Sequence, residues 1–240
     1  MKHKIYLTTG LLLLWQIFAT VVDKNVLIPY PLDVLSKMIT MLCQKSFYQT
    51  IVMTLSHFII VVILSLIIAY LLAYMCFSYP LIEKYVTPVM TIVQSVPTIA
   101  FVFIILVWTS SLQTVYIVLL FVVFPLLFHN FLEGLKNIDR DLKDVIWLYH
   151  PPLFERLFRI YFPLIQSSVL SGIKSALSLG VKVSVMAEIL SALPYGVGRE
   201  MNYARIQVDT TELLAWTLWL IVMIMCIEYL FEKVVSYRKE

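Results

Sequence analysis

Six apolar segments set the terms for this chain, at about 6–22, 50–75, 86–108, 112–133, 164–190 and 212–231. A helix of about 20 residues crosses a hydrocarbon core of about 30 Å, and each segment is close to that length or beyond it. Hydrophobic residues make up 61% of the sequence and charged ones only 14%. Mean hydropathy is +0.90. A soluble domain cannot hide that much apolar surface, so the expectation is an all-α polytopic membrane protein with six transmembrane helices. The spans leave no room for a separate soluble domain in 240 residues. Residues 1–240 therefore read as one transmembrane domain.

Charge sets the expected orientation, because cytoplasmic loops carry an excess of Lys and Arg. With the N-terminus inside, eleven such residues fall on the cytoplasmic side, among them Lys84, Lys136, Arg140, Lys143, Arg156 and Arg159. Five fall outside: Lys24, Lys37, Lys45, Arg199 and Arg205. Both termini are expected in the cytoplasm. Lys2 and Lys4 precede an apolar run to Val22 with no small-residue cleavage site after it, which reads as an uncleaved anchor. Between the first two spans, Val34, Leu35, Met38, Ile39 and Leu42 recur at helical spacing. They predict an outer amphipathic helix over 31–46. The net charge of +3 gives no reason to expect a nucleic-acid partner. Cys43, Cys76 and Cys226 form no CxxC pair and no metal spacing.

One segment, 135–163, breaks the apolar pattern. Asp139 is a good N-cap, and Asp141 and Asp144 sit early in the helix that follows, where its dipole favours them. That helix is expected to end near Tyr149, ahead of Pro151 and Pro152. Pro152 then opens a second short helix with Leu153, Phe154, Leu157 and Phe158 on one side. A charged, helix-prone loop held between two spans offers a docking surface in the cytoplasm.

This loop resembles the cytoplasmic signature of permease subunits of binding-protein-dependent ABC importers. That signature is Glu-Ala-Ala, three residues, Gly, nine residues, an aliphatic residue, two more, then Pro. Here Asp144-Val145-Ile146, His150, Ile160 and Pro163 stand at those places. The spacing matches throughout. Asp replaces Glu, and His150 replaces Gly ahead of two prolines. The likeness extends over nearly the whole chain. Leu27-Ile28-Pro29, Thr54-Leu55, Ser95-Val96-Pro97, Gly172 to Leu177, Met186 to Leu190, Tyr195-Gly196-Val197-Gly198 and Asp209-Thr210 resemble the nitrate, sulfonate, taurine and thiamine-precursor branch.

The resemblance implies a type I importer permease in a bacterial inner membrane. It implies a second permease subunit, the same or homologous, two ATP-binding subunits and an extracytoplasmic substrate-binding protein. Docking to the ATP-binding subunit would fall to Asp144, Val145, Ile146, Trp147, Leu148 and His150. No cofactor is expected in this chain: ATP and Mg would be bound by the partner subunit. The sequence carries no GxxxxGK[ST] phosphate loop, so it is not expected to hydrolyse ATP or to be an enzyme.

Candidate pathway residues follow from the polar groups within the spans. Ser171, Ser175, Ser178 and Lys182 recur on one helical face of the fifth span, with Ser167 a turn earlier. Small hydroxyl residues on a face also let helices pack closely. A charge at mid-membrane costs roughly 3 kcal/mol on insertion scales, so Lys182 is expected to face a pathway or a subunit seam. An anionic or carbonyl-bearing group would suit it. Glu188, about 240° further round, is expected near the outer mouth rather than paired with Lys182. Gln94, Ser95 and Thr98 surround the Pro97 kink, where a freed carbonyl can line a cavity. His57 is a further candidate. The alternative is a stand-alone secondary carrier or channel, but no internal repeat is evident. An intramembrane protease would need a nucleophile turn or HExxH, and neither occurs.

Overall fold

The computed structural model describes residues 2–237. Every regular element among them is helical: α1 (Lys2–Val22), α2 (Pro31–Leu42), α3 (Lys45–Ser78), α4 (Pro80–Ser95), α5 (Thr98–Leu106), α6 (Ser111–Lys136), α7 (Arg140–Tyr149), α8 (Leu153–Glu155), a π-helical turn (Arg156–Tyr161), α9 (Phe162–Leu164), α10 (Gln166–Leu190), α11 (Val197–Ile206) and α12 (Thr210–Tyr237).

Among the described residues, four helices are long and apolar enough to cross a membrane: α3, α6, α10 and α12. α3 starts at Lys45 and runs 34 residues, because nothing in its sequence breaks it before Pro80. It therefore takes up Lys45 and Ser46, which were expected at the end of the outer helix. α2 stops at Leu42. α1 contributes an apolar stretch of only Thr9–Val22.

The predicted third span, 86–108, is not one rod. α4 and α5 meet at 93°, broken at Val96-Pro97. Val96 is extended (φ −69°, ψ 127°), as a residue before proline prefers. Pro88, in contrast, lies inside α4 without ending it.

α6 forms the centre, packed between α3 and α10. Val115, Val118, Leu119, Val123, Leu127, Phe128 and Phe131 of α6 are buried against Phe58, Val61, Val62 and Ala69 of α3 and Ala176, Val181 and Ala187 of α10. A capping box starts α6. Its Gln113 N–H donates to Ser110 Oγ at 3.5 Å, and Ser110 N–H donates to Gln113 Oε1 at 3.1 Å. A smaller core joins α2, the start of α3 and α12 through Val34, Met41, Phe47, Ala215 and Trp216. Lys37 ties the same elements by pairing with Glu212 at 2.9 Å. α1 attaches at its end, where Trp15 Nε1–H donates to the Pro29 carbonyl at 3.1 Å. Many large apolar side chains of α1, α3, α4, α5 and α12 are exposed, a pattern suited to lipid and not to water.

Candidate functional site: the α7 end and the open face of α10

Asp139 caps α7, its Oδ1 accepting from Asp141 N–H at 3.4 Å. The helix ends at Tyr149, and His150 takes the left-handed conformation (φ 45°, ψ 49°). That is the backbone glycine adopts most cheaply at a helix C-terminus, and here a histidine holds it. His150 Nδ1 lies 3.1 Å from the Leu148 carbonyl, a local contact within the turn.

Asp144, Val145 and Leu148 stand clear of the bundle, with Val145 60% and Leu148 73% exposed. Ile146 differs from the other candidates. It turns inward, only 9% exposed, and packs on the core. The side chain of Trp147 lies outside the described residues. Asp144 and His150 border a hollow of about 340 Å³ that also includes Phe77, Lys143, Ile146, Arg156 and Tyr161.

An aromatic ladder on α3 anchors this end. Tyr70, Tyr74 and Phe77 recur at i, i+4 and i+7, one helical face. Tyr70 O–H donates to the Leu157 carbonyl at 2.6 Å, and its ring packs on Phe158 and Phe162. Tyr74 meets the Tyr161 ring at 5.7 Å and lies under the Arg156 guanidinium at 5.6 Å. Phe77 meets Tyr161 at 5.4 Å and lies under Lys143 Nζ at 5.5 Å. Burial pushes the Tyr161 phenol up from its ordinary value. Lys143 Nζ also donates to the Lys136 carbonyl at 2.9 Å, closing the link from α6 to α7. The π-helical turn sits inside this clamp, and such turns recur at functional sites. The ladder's spacing was visible in the sequence, but among so many apolar residues it did not stand out.

Away from this end, α10 presents an open face. Ser167, Ser171, Ser175 and Lys182 are exposed on it, and Ser178 is half-buried. Lys182 borders a hollow of about 310 Å³ between α5, α10 and α12, whose other walls are Ile99, Val185, Met186, Ile189, Leu190, Leu220 and Ile224. No carboxylate among the described residues pairs with Lys182, whereas Lys174 is paired with Glu232 of α12. Gln94 and Ser95 are exposed at the end of α4, where Ser95 Oγ–H donates to the Ile92 carbonyl at 2.7 Å. Thr98 lines a separate small hollow of about 90 Å³. The α4–α5 break still reaches Lys182, because Ile99 forms part of its hollow.

His57 and Glu188 are not on that face. His57 is buried, 5.5 Å from the Tyr116 ring and 5.6 Å from Tyr195. Glu188 has no exposed surface. Its Oε2 accepts from Gly198 N–H at 2.8 Å and from Thr54 O–H at 3.1 Å, and Val197 N–H donates to Thr54 Oγ1 at 2.8 Å. A Cβ on Gly196 would fall 2.6 Å from Glu188 Oε2, and one on Gly198 would fall 2.4 Å from Glu188 Cβ. The two glycines thus let the start of α11 close on the carboxylate. Among the described residues no group of three or more His, Cys, Asp or Glu could hold a metal ion.

Residues 65–232 match the family model for the binding-protein-dependent transport system inner membrane component. The chain belongs to that family. It covers α7 with its anchoring ladder and the whole of α10. The permease is 26% identical, over 76% of its length, to the formylaminopyrimidine transport permease protein ThiX of Halalkalibacterium halodurans, of which it covers 73%. It is 24% identical, over 68% of its length, to the glycine betaine transport system permease protein OpuAB of Bacillus subtilis, of which it covers 58%. It is a membrane permease of the ABC importer class and not an enzyme; ATP hydrolysis lies with a separate subunit. Members of this family work with ATP-binding and substrate-binding proteins.

Proposed function

We propose that this permease docks on an ATP-binding subunit through α7 and carries a small organic solute past the open face of α10. The observation behind the docking is the exposed strip Asp144, Val145 and Leu148 on a helix held to the α3 ladder, because an apolar surface offered at a loop suits a protein partner. In this reading α1 and the bent α4–α5 pair complete six spans. Both termini and α7 face the cytoplasm, and the membrane is a bacterial inner membrane. Two permease subunits, the same or homologous, meet across their open faces. Two ATP-binding subunits bind ATP and Mg, and a substrate-binding protein delivers solute at the α2–α11 end.

The solute class rests on Lys182. A cation beside an apolar hollow, with no carboxylate paired to it among the described residues, favours a solute bearing an anionic or carbonyl group. The relatives are named for formylaminopyrimidine and for glycine betaine, both small organic molecules. Copurification tests the reading. The permease should bring down an ATP-binding subunit, and the complex should hydrolyse ATP. Robust ATPase activity in the purified permease alone would contradict it.

A further inference from the structure

The buried junction of α3, α10 and α11 holds a carboxylate that the pathway reading does not use. Glu188 lies near the end of α10, six residues beyond Lys182. One of its oxygens gathers the Gly198 N–H and the Thr54 hydroxyl, while Thr54 Oγ1 takes the Val197 N–H. The first two N–H groups of α11 are therefore held by side chains of two different spans. Helix N-termini need such acceptors, and the dipole there favours a carboxylate. The second oxygen, Oε1, is buried with no hydrogen-bond partner among the described residues. Burying a polar oxygen without a partner is costly. Gly196, at φ +97°, makes the approach possible because no side chain fits between the turn and the carboxylate.

We propose that Glu188 is a positioning residue that latches α11 to α10 and α3, so that the outer helix travels with the spans during the transport cycle. This rests on the permease reading above. Without the latch, α11 keeps its packing through Val197 and Ala204 but loses the acceptor at its first turn. It then separates from α10 in part of the population. The latch gives a direct mechanical route from the substrate-delivery end to the helix that carries Lys182.

The test uses the permease complex in lipid nanodiscs, without the three native cysteines. Spin labels are placed at Tyr203→Cys on α11 and Leu179→Cys on α10, both exposed positions. Distances are measured without nucleotide and with ATP, Mg and vanadate. The latched complex gives one α10–α11 distance in both states. Glu188→Leu keeps the volume but removes the acceptor. It should raise the separated population about tenfold in at least one state, as expected when a buried donor loses its partner. Glu188→Gln keeps an accepting oxygen and should restore the single distance. If Glu188→Leu does not assemble, Thr54→Val, which removes the other acceptor, should show the same separation. An unchanged distance in Glu188→Leu, or in Thr54→Val when it stands in, overturns the latch, as does a separated population in Glu188→Gln equal to that of Glu188→Leu. If no ATP-binding subunit copurifies, the permease reading fails instead, and the same labels on the chain alone still decide the latch.

Discussion

The Tyr70 hydroxyl donates to the Leu157 carbonyl across 87 residues of sequence, at 2.6 Å. The bond joins the last third of α3 to the π-helical turn that follows α7. With the rings of Tyr74 and Phe77 further along α3, it ties the turn that follows α7 to α3. A helix docked on a moving ATP-binding subunit needs such a connection if its displacement is to reach the spans.

Tyr70→Phe tests that connection. The ring contacts stay and only the hydroxyl goes. Leu157 keeps its backbone donor, Phe162 N–H, so the cost should be about 1 kcal/mol. Thermal unfolding of the purified protein in detergent should show a small fall. Transport per ATP hydrolysed should fall more than stability does. Unchanged coupling would remove the hydroxyl from the transmission route.

His150 offers a test of the turn. Its left-handed backbone costs about 1–2 kcal/mol for a residue with a Cβ. His150→Gly should leave the protein as stable or more so and keep ATPase binding. His150→Val, β-branched in the same conformation, should lower the melting temperature and weaken binding. Equal behaviour of the two variants would mean that the turn geometry does not govern docking.

Gly196→Ala should be among the most damaging single changes at the α11 end. The conformation alone costs about 1–3 kcal/mol for a residue other than glycine. The added Cβ would also lie 2.6 Å from Glu188 Oε2 and 2.9 Å from Thr54 Oγ1. A thermal-shift assay should record a clear loss, whereas Gly10→Ala, with nothing within 4 Å of its Cβ, should be near neutral.

Lys182→Met should insert and assemble normally, because it removes a charge that no carboxylate among the described residues pairs with. Solute uptake should fall. In a background without native cysteines, Lys182→Cys should react with a small aqueous thiol reagent in at least one state of the cycle. Full uptake by Lys182→Met, together with no reactivity in any state, would return the residue to packing.

Much of this was legible from local signals. Asp139 and the Pro151-Pro152 pair bounded α7 because caps and prolines act on their own neighbours. The serine face of α10 followed from helical spacing, and Lys182 does lie on it. The angle at Val96-Pro97 was not legible. A proline permits a mild kink or a full break, and packing of α5 against α6 and α10 decides between them. The surroundings of Glu188 were not legible either. They depend on Thr54, 134 residues away, and on how closely a glycine turn approaches. Ile146 was grouped with its exposed neighbours because the sequence alone did not say which side of α7 would meet Phe77 and Tyr161.

Docking through α7 is the central claim, and site-directed crosslinking tests it most directly. A single cysteine is placed at Leu148 in a chain lacking Cys43, Cys76 and Cys226 and labelled with a maleimide-benzophenone, and the complex is irradiated so that the ketone inserts into a neighbouring C–H bond of protein or lipid. The account predicts an adduct with the ATP-binding subunit that Asp144→Lys diminishes, with uncoupled ATP hydrolysis in the same variant. Adducts with lipid alone, formed in a complex that contains the ATP-binding subunit, would contradict it.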